Sequence, residues 1–147
     1  MKSFSLVKFQ IPKTKFQNLD SKFQNPKPLL INDFYTCQDS QVGEQEISCR
    51  IVFNGEHAIF KGHFPRNPVV PGVCMMEMVK ELLQEQVHES LMLRSTGNVK
   101  FLQLITPDVQ PVIKIEWKQN EAGYAVKASI NLAATAMFKF DGNFVNS

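Results

Sequence analysis

The middle of the chain carries the one stretch whose apolar residues clearly recur with a helical period. Residues 73–88 contain no glycine or proline, are rich in Met, Leu, Glu, Lys and Gln, and are apolar around most of the circumference of their first three turns. A helix with that much apolar surface has to be covered by other elements. The pattern therefore predicts one long central helix that lies in the core.

Patterns typical of strands occupy much of the remaining chain. Residues 44–53 alternate between apolar and polar side chains and end at an Asn-Gly pair, which predicts a half-buried strand. Residues 29–35 indicate a short strand or turn, and the polar residues 37–42 indicate a loop. After the helix, strands are predicted at residues 98–105, 112–118, 124–131 and 133–140. One long helix and about five strands after it predict an α+β fold, in which an antiparallel sheet curls around the helix.

Composition and length fit a single domain with a substantial core. The 147 residues are 44% hydrophobic and 20% charged, as in an ordinary globular protein. No apolar run approaches the ~20 residues of a membrane span, and the N-terminus lacks the apolar core of a signal peptide. We therefore expect a cytosolic protein with no membrane span. The net charge of only +2 gives no reason to expect a nucleic-acid partner.

The positive charge is concentrated at the N-terminus. Residues 1–28 contain six lysines and one aspartate, and the triplet Lys-Phe-Gln recurs there every seven residues. One apolar position per heptad, with prolines nearby, does not form a coiled-coil seam. We predict that residues 1–28 form a flexible or loosely packed extension and that residues 29–147 form the folded domain. The alternative for the extension is an arm that touches an acidic partner or a membrane surface.

Cysteine and histidine spacing does not suggest a metal site. The three cysteines, Cys37, Cys49 and Cys74, form no C-x-x-C pair and are odd in number, which favours free buried thiols over a disulfide or a zinc framework. The three histidines show no spacing typical of metal ligands. We therefore expect no metal and no cofactor.

The candidate chemistry lies just before the predicted helix. Residues 62–72 read GHFPRNPVVPG, and their three prolines exclude a helix or a central strand, so this segment is predicted to be a stiff loop. His63 stands at the front of the loop and Gly72 at its end. Glu77 follows His63 by fourteen residues, among the methionines of the helix start. An imidazole and a carboxyl group so placed can exchange protons.

These residues carry a resemblance to a known family. The segment NGEHAIFKGHFPRNPVVPGVCMME, residues 54–77, resembles the signature of the 3-hydroxyacyl-acyl-carrier-protein dehydratases, which have the hotdog fold. The shared pieces are an N-x-E, a G-H-F-P, a P-x-x-P-G and an acid fourteen residues after the histidine. The later Lys100-Phe101 and the turn at 106–108 also fit, so the resemblance covers about residues 29–140. Glutamate at position 77 is similar to the branch that dehydrates without isomerising.

The resemblance implies an activity and an assembly. The family removes water from a (3R)-hydroxyacyl thioester on acyl carrier protein to give the trans-2-enoyl thioester, in fatty acid or related polyene and polyketide synthesis. Its members pair as homodimers, in some cases as trimers of dimers, with the histidine of one subunit meeting the acid of the other. We expect the same of this chain, with an acidic carrier protein docking on a basic rim formed by Lys61, Arg66, Lys80 and Lys100.

Physical chemistry assigns a role to each site residue. A neutral imidazole is competent near pH 7, so His63 is the predicted base, and Glu77 is the predicted acid for the departing hydroxide. The backbone N–H of Gly72 or Val73, at the positive end of the helix, is predicted to stabilise the thioester oxygen. Further substrate contacts are expected from Phe64 and Pro71. The resemblance also implies an acyl tunnel, for which we expect the apolar residues Phe60, Met75, Met78 and Phe101.

Several residues have a plainer interpretation or an open one. His57 is expected to make a structural hydrogen bond, and His88 to close the helix. Cys74 is not expected to be a nucleophile, because methionine-rich surroundings disfavour its thiolate. The family commonly has glutamine where Glu81 stands. This second carboxylate is predicted either to raise the pKa of Glu77 further or simply to face solvent.

Two other functions remain open. A thioesterase on the same fold would use the helix carboxylate to activate water, without a need for the histidine loop. A non-catalytic acyl-binding subunit would keep the apolar tunnel but lose the proton chemistry, and the presence of both His63 and Glu77 counts against it.

Overall fold

The structure is a computed structural model that describes residues 29–62 and 65–147. The basic extension predicted at residues 1–28, together with His63 and Phe64, lies outside the described residues. The elements in chain order are β1 (Tyr35–Gly43), β2 (Glu46–Phe53), α1 (Ala58–Gly62), α2 (Gly72–Val87), β3 (Leu91–Phe101), β4 (Val112–Gln119), β5 (Gly123–Leu132) and β6 (Thr135–Asn146).

The strands form one six-stranded sheet in the order β1-β2-β4-β5-β6-β3, and every neighbouring pair is antiparallel. Side chains along β4 are alternately buried and exposed, and those along β2 are alternately buried and partly buried, as expected when one face of a sheet packs on a core. The buried face and α2 share a single hydrophobic cluster. The predicted α+β arrangement of a sheet around one long helix is therefore confirmed.

Helix α2 lies where the sequence predicts it. It begins at Gly72, one residue before the predicted start, and eight of its sixteen residues are buried. His88 ends it in the left-handed conformation, and its N–H donates to the carbonyl of Gln84 at 2.8 Å. The expected closing role of His88 is confirmed.

The strand predictions are less accurate at the edges of the sheet. Residues 37–42 are not a loop but most of β1, whose later residues are exposed on both faces and are held by backbone pairing with β2. An edge strand of this kind has no apolar alternation, so its sequence resembles a loop. Two strands precede α2 and four follow it, rather than about five following, and the short helix α1 is not predicted by the sequence pattern.

The prediction of free thiols is wrong for two of the three cysteines. Cys37 and Cys49 form a disulfide between β1 and β2, and Cys74 is free and buried. Cys37 is paired in register with Ile51, two residues after Cys49, so both cysteines point to the core side of neighbouring strands. Because this closeness arises from strand pairing, cysteine spacing alone does not reveal it.

No helix in the described part of the chain is long and apolar enough to cross a membrane. The cytosolic location remains a prediction. The disulfide weighs against it, because such bonds persist in oxidising compartments and are rare in the cytosol.

Reduction of the Cys37–Cys49 bond is expected to lower the free energy of unfolding by about 3 kcal/mol, because the bond restricts the unfolded chain across a sequence separation of 12. Urea unfolding with and without a reductant measures the change. A C37S/C49S double variant is the control, since a reductant should leave its stability unaltered. Finding three reactive thiols in the denatured, unreduced protein would contradict the pairing.

Candidate active site

Helix α2 begins with backbone N–H groups that have no acceptor within the helix. Pro71 precedes the helix in an extended conformation and supplies no side-chain cap. Its carbonyl accepts hydrogen bonds from the N–H groups of Cys74 at 3.0 Å and Met75 at 3.3 Å. The N–H groups of Gly72 and Val73 come before these and have no acceptor within the helix. The helix start therefore presents donors and a positive dipole end, as the predicted oxyanion role requires.

The helix start is held against the segment that follows β3. A Cβ added to Gly72 would lie 2.9 Å from the ring of Phe101, so this ring packs closely against the helix start and would have to shift to admit a larger residue. The N–H of Val70 donates to the carbonyl of Ile105 at 2.8 Å. These contacts fix the end of the proline-rich loop, and with it the position of the helix start.

Glu77 lies in the second turn of α2 and is partly buried. Its Oε2 is 3.3 Å from the Nζ of Lys80, and the two side chains are 20% and 25% exposed. Lys80 is thus an ion-pair partner of the candidate acid rather than a free member of the predicted docking rim. The other three members, Lys61, Arg66 and Lys100, are exposed.

The pairing of His63 with Glu77 stays a prediction, because His63 lies outside the described residues. The structure gives the position of the element before it: α1 ends at Gly62, the residue next to His63 in the chain. Phe64, predicted to contact substrate, also lies outside the described residues.

The residues predicted to line an acyl tunnel fall into two groups. Phe60, Met75 and Met78 are buried in the core of the single chain. Phe101 is half exposed and lies against the helix start at Gly72. We call the exposed apolar side chains of the helix start and of the segment beside it the apolar patch: Val73, Phe101, Leu102 and Leu104. Val73 is 74% and Leu104 76% exposed. One chain therefore leaves this apolar patch uncovered, and the tunnel remains a prediction.

A separate groove of about 410 Å³ lies on the outer face of the sheet. It is lined mainly by charged and polar side chains of β3, β4, β5 and β6, including Lys100, Lys114 and Asp141. None of the predicted catalytic or tunnel residues lines it.

Glu81 is a buried residue whose role the sequence left open. It is only 1% exposed, so the alternative in which it faces solvent is wrong. Its carboxylate accepts hydrogen bonds from the N–H of Leu30 at 2.7 Å, the N–H of Ile31 at 3.0 Å and the hydroxyl of Tyr35 at 3.2 Å. The only sequence signal is its place four residues after Glu77, on a helix predicted to be buried.

Burial is the main cause of the pKa shifts of Glu81 and Cys74. Desolvation, and to a lesser extent the charge of Glu77, raises the pKa of Glu81 to about 7, although its backbone hydrogen bonds act in the opposite direction. Burial and the charges of Glu77 and Glu81 raise the pKa of the Cys74 thiol to about 11. Cys74 is thus protonated near neutral pH, which disfavours its thiolate, and its having no nucleophilic role stays a prediction.

His57 makes structural hydrogen bonds, as expected from the sequence. Its Nδ1 accepts the N–H of Ile59 at 3.0 Å, at the start of α1. Its Nε2 lies 3.2 Å from Oδ2 of Asp33, in the turn before β1. Both ring nitrogens of His57 therefore have hydrogen-bond partners within the protein.

Comparison with known proteins gives both a family and a fold. The sequence profile of the ApeI-like family, described as ApeI dehydratase, matches residues 39–138. A 3-hydroxyacyl-[acyl-carrier-protein] dehydratase FabZ of Erythrobacter litoralis is 29% identical over 125 residues, covering 77% of this chain and 81% of that protein. The FabZ of Clostridium acetobutylicum is 28% identical over 97 residues, covering 60% of this chain and 64% of that protein.

Solved structures support the fold at lower identity. The dehydratase heterocomplex ApeI:P from Xenorhabdus doucetiae has a TM-score of 0.61 and 20% identity, covering 72% of this chain and 92% of that chain. An HP0420 homologue from Helicobacter felis has a TM-score of 0.57 and 8% identity, covering 94% and 88%. The hotdog fold implied by the resemblance is confirmed.

The buried carboxyl of Glu81 is expected to make stability depend on pH. The folded protein holds the Glu81 proton up to about pH 7, whereas the unfolded chain releases it near the ordinary pKa of 4.5. Stability from this group is therefore fully present below pH 4.5 and is lost as the pH rises through 7. Relative to E81Q, the wild type should lose about 3 kcal/mol of unfolding free energy across this range.

Urea unfolding at a series of pH values measures this difference. E44Q, which changes an exposed glutamate, is the matched control and should follow the wild type. Parallel pH dependence of the wild type and E81Q would show that Glu81 does not titrate in this range.

Proposed function

Because the chain belongs to the ApeI-like dehydratase family, we propose that it eliminates water from a (3R)-hydroxyacyl thioester on acyl carrier protein and forms the trans-2-enoyl thioester. The observation that carries this proposal is the start of α2. There the N–H groups of Gly72 and Val73 have no acceptor within the helix, and Glu77 follows in the second turn of the same helix. The names of the FabZ relatives give the class of substrate. Fatty acid or a related polyene or polyketide synthesis is the proposed context.

The reaction divides among three groups. His63 accepts the proton from the carbon α to the thioester carbonyl, and the electrons of that C–H bond form the new double bond. The C–O bond at the β-carbon breaks, and Glu77 protonates the departing hydroxide, so that water leaves. The negative charge that develops on the thioester oxygen is stabilised by the N–H groups of Gly72 and Val73. Proton exchange with water restores both side chains.

A second copy of the chain is the proposed cover for the apolar patch around the helix start. In a symmetric pair, the His63 loop of one copy would face Glu77 of the other, giving two equal sites. The patch supports this arrangement, because Val73 and Leu104 are largely exposed in a single chain. ApeI:P is a heterocomplex, so a partner of different sequence is the alternative. A trimer of such dimers is a further proposal.

The carrier protein is proposed to dock through exposed cations of the predicted rim. Lys61, Arg66 and Lys100 are exposed, and an acidic carrier would meet a complementary charge there. Lys80 is left out of this proposal because it pairs with Glu77.

Removal of either candidate group should stop the reaction. H63A is expected to abolish enoyl formation from 3-hydroxyacyl thioesters, because the base is lost. E77Q should lower kcat by at least about a hundredfold, because the amide cannot donate an acidic proton. Mass spectrometry of the enoyl product, with thioesters of graded chain length, measures both effects.

Matched variants and a second readout make this assay specific. H88N and E89Q change a histidine and a glutamate at the other end of α2 and should keep wild-type rates. Release of free thiol without enoyl product would replace dehydration by thioester hydrolysis. Wild-type rates in H63A would remove the proposed base.

Mixing the two inactive variants tests whether the site is shared between copies. If His63 of one copy acts with Glu77 of the other, each H63A/E77Q mixed dimer contains one intact site. Random exchange of subunits should then restore about a quarter of wild-type activity. Activity of the mixture is compared with that of each variant alone, after dissociation and reassembly. A mixture as inactive as its components would place both groups of a site in one chain.

A further inference from the structure

The turn before β1 is hydrogen-bonded to a buried side chain of helix α2. The carboxylate of Glu81 accepts two backbone N–H groups, from Leu30 and Ile31, and the hydroxyl of Tyr35. Because backbone N–H groups cannot change rotamer, these bonds leave the main chain of Leu30 and Ile31 little freedom to move relative to Glu81. Glu81 follows Glu77 by one helical turn, so the turn of residues 30–35 is fixed close to the candidate acid.

The same turn also contacts residues 54–60, the segment that precedes His63 in the chain. Phe34, which is fully buried, stacks on Phe60 of α1 with ring centroids 5.0 Å apart. The side-chain amide of Asn54 donates to the carbonyl of Asp33 at 3.0 Å, and the N–H of Asn54 donates to the carbonyl of Phe34 at 2.9 Å. The turn thus contacts α2 on one side and the start of the loop segment on the other.

His57 completes this connection and has a defined tautomer. Because Nδ1 accepts the N–H of Ile59, the ring hydrogen of the neutral imidazole is on Nε2, which donates to Asp33. Neither nitrogen is available to take a proton from a substrate, so His57 is not a second base. It holds the first turn of α1, and α1 ends at Gly62, immediately before His63.

We propose that Asp33 and His57 are positioning residues for the dehydration, which together with Glu81 hold α1, the helix that ends at the residue before His63, in place relative to the helix carrying Glu77. The inference rests on the proposed function for its effect on rate. Its structural content is a continuous series of contacts from α2, through the turn of residues 30–35, to α1. A displacement of about 1 Å between reacting groups can lower a rate by about a hundredfold, so a small loss of this connection is expected to affect kcat.

The Asp33–His57 link is removed from both ends in the test. D33A deletes the acceptor. H57N keeps an acceptor for the Ile59 N–H, because the amide oxygen takes the place of Nδ1, but it has no atom at the position of Nε2. Both variants should lower kcat about ten- to a hundredfold with little change in KM. The double variant should be no worse than H57N alone, because H57N already removes the link to Asp33, together with the edge-to-face contact of the His57 ring with Phe34.

Two further variants separate positioning from general damage. D33N keeps an oxygen that accepts the Nε2–H and should retain wild-type kcat. D141A removes an exposed carboxylate on the outer face of the sheet and should also be unaffected. Since the Asp33 side chain is 68% exposed, its hydrogen bond with His57 adds little to stability, and D33A should remain folded. The urea unfolding midpoint of each variant checks this point.

Nuclear magnetic resonance of the histidine rings tests positioning without relying on activity. The chain has only three histidines, so the Cε1–H signal of His63 is assigned by comparison with H63A. It should shift or broaden in D33A and H57N, and match the wild type in D33N and D141A. If the wild type forms no enoyl product, the proposed function fails while this measurement still decides the positioning role.

Each outcome is decisive. A fall in kcat with a changed His63 signal in D33A and H57N, rescued in D33N, supports the proposal. An unchanged kcat and His63 signal in folded D33A and H57N would overturn it. A D33N variant as impaired as D33A, or losses that only follow the folded fraction, would overturn it as well.

Discussion

The structure depends on the burial of α2, a helix whose apolar surface has to be covered on nearly every side. The six-stranded sheet supplies that cover, and half of the helix residues are buried. Any polar group on such a helix must find its partners inside the protein, because an unpaired buried carboxylate is costly. The burial of α2 therefore determines which other segments come to the helix, and where.

Glu81 shows this constraint most directly. Its carboxylate is satisfied by backbone N–H groups about 50 residues away in the sequence, so a buried acid brings the turn before β1 onto the helix. Glu77, Glu81 and Glu85 follow one another at intervals of four residues, so their charges lie on one side of α2. Desolvation near these charges also keeps Cys74 protonated. The same environment holds the candidate acid in a fixed place and makes the region sensitive to pH.

A single copy leaves two features incomplete. The edge of β3 opposite β6 has no neighbouring strand among the described residues, and the apolar patch around the start of α2 is open. Both lie close to the N–H groups proposed to bind the thioester oxygen, since Phe101 ends β3 and touches Gly72. The proposed pairing with a second subunit would place that subunit against this patch, next to the proposed site.

The sequence by itself determined α2, the strands β2, β4 and β5, and the family. Each of these strands, like α2, has a strong local periodicity because its own residues divide between core and solvent, and the family motif is a local run of residues. Tertiary structure alone decided β1, the Cys37–Cys49 disulfide and the burial of Glu81. β1 is an edge strand whose later residues are exposed on both faces. The other two features join residues that are distant in sequence and meet only when strands pair or a turn docks on α2. Local patterns report which residues are buried, but not which distant residues they meet.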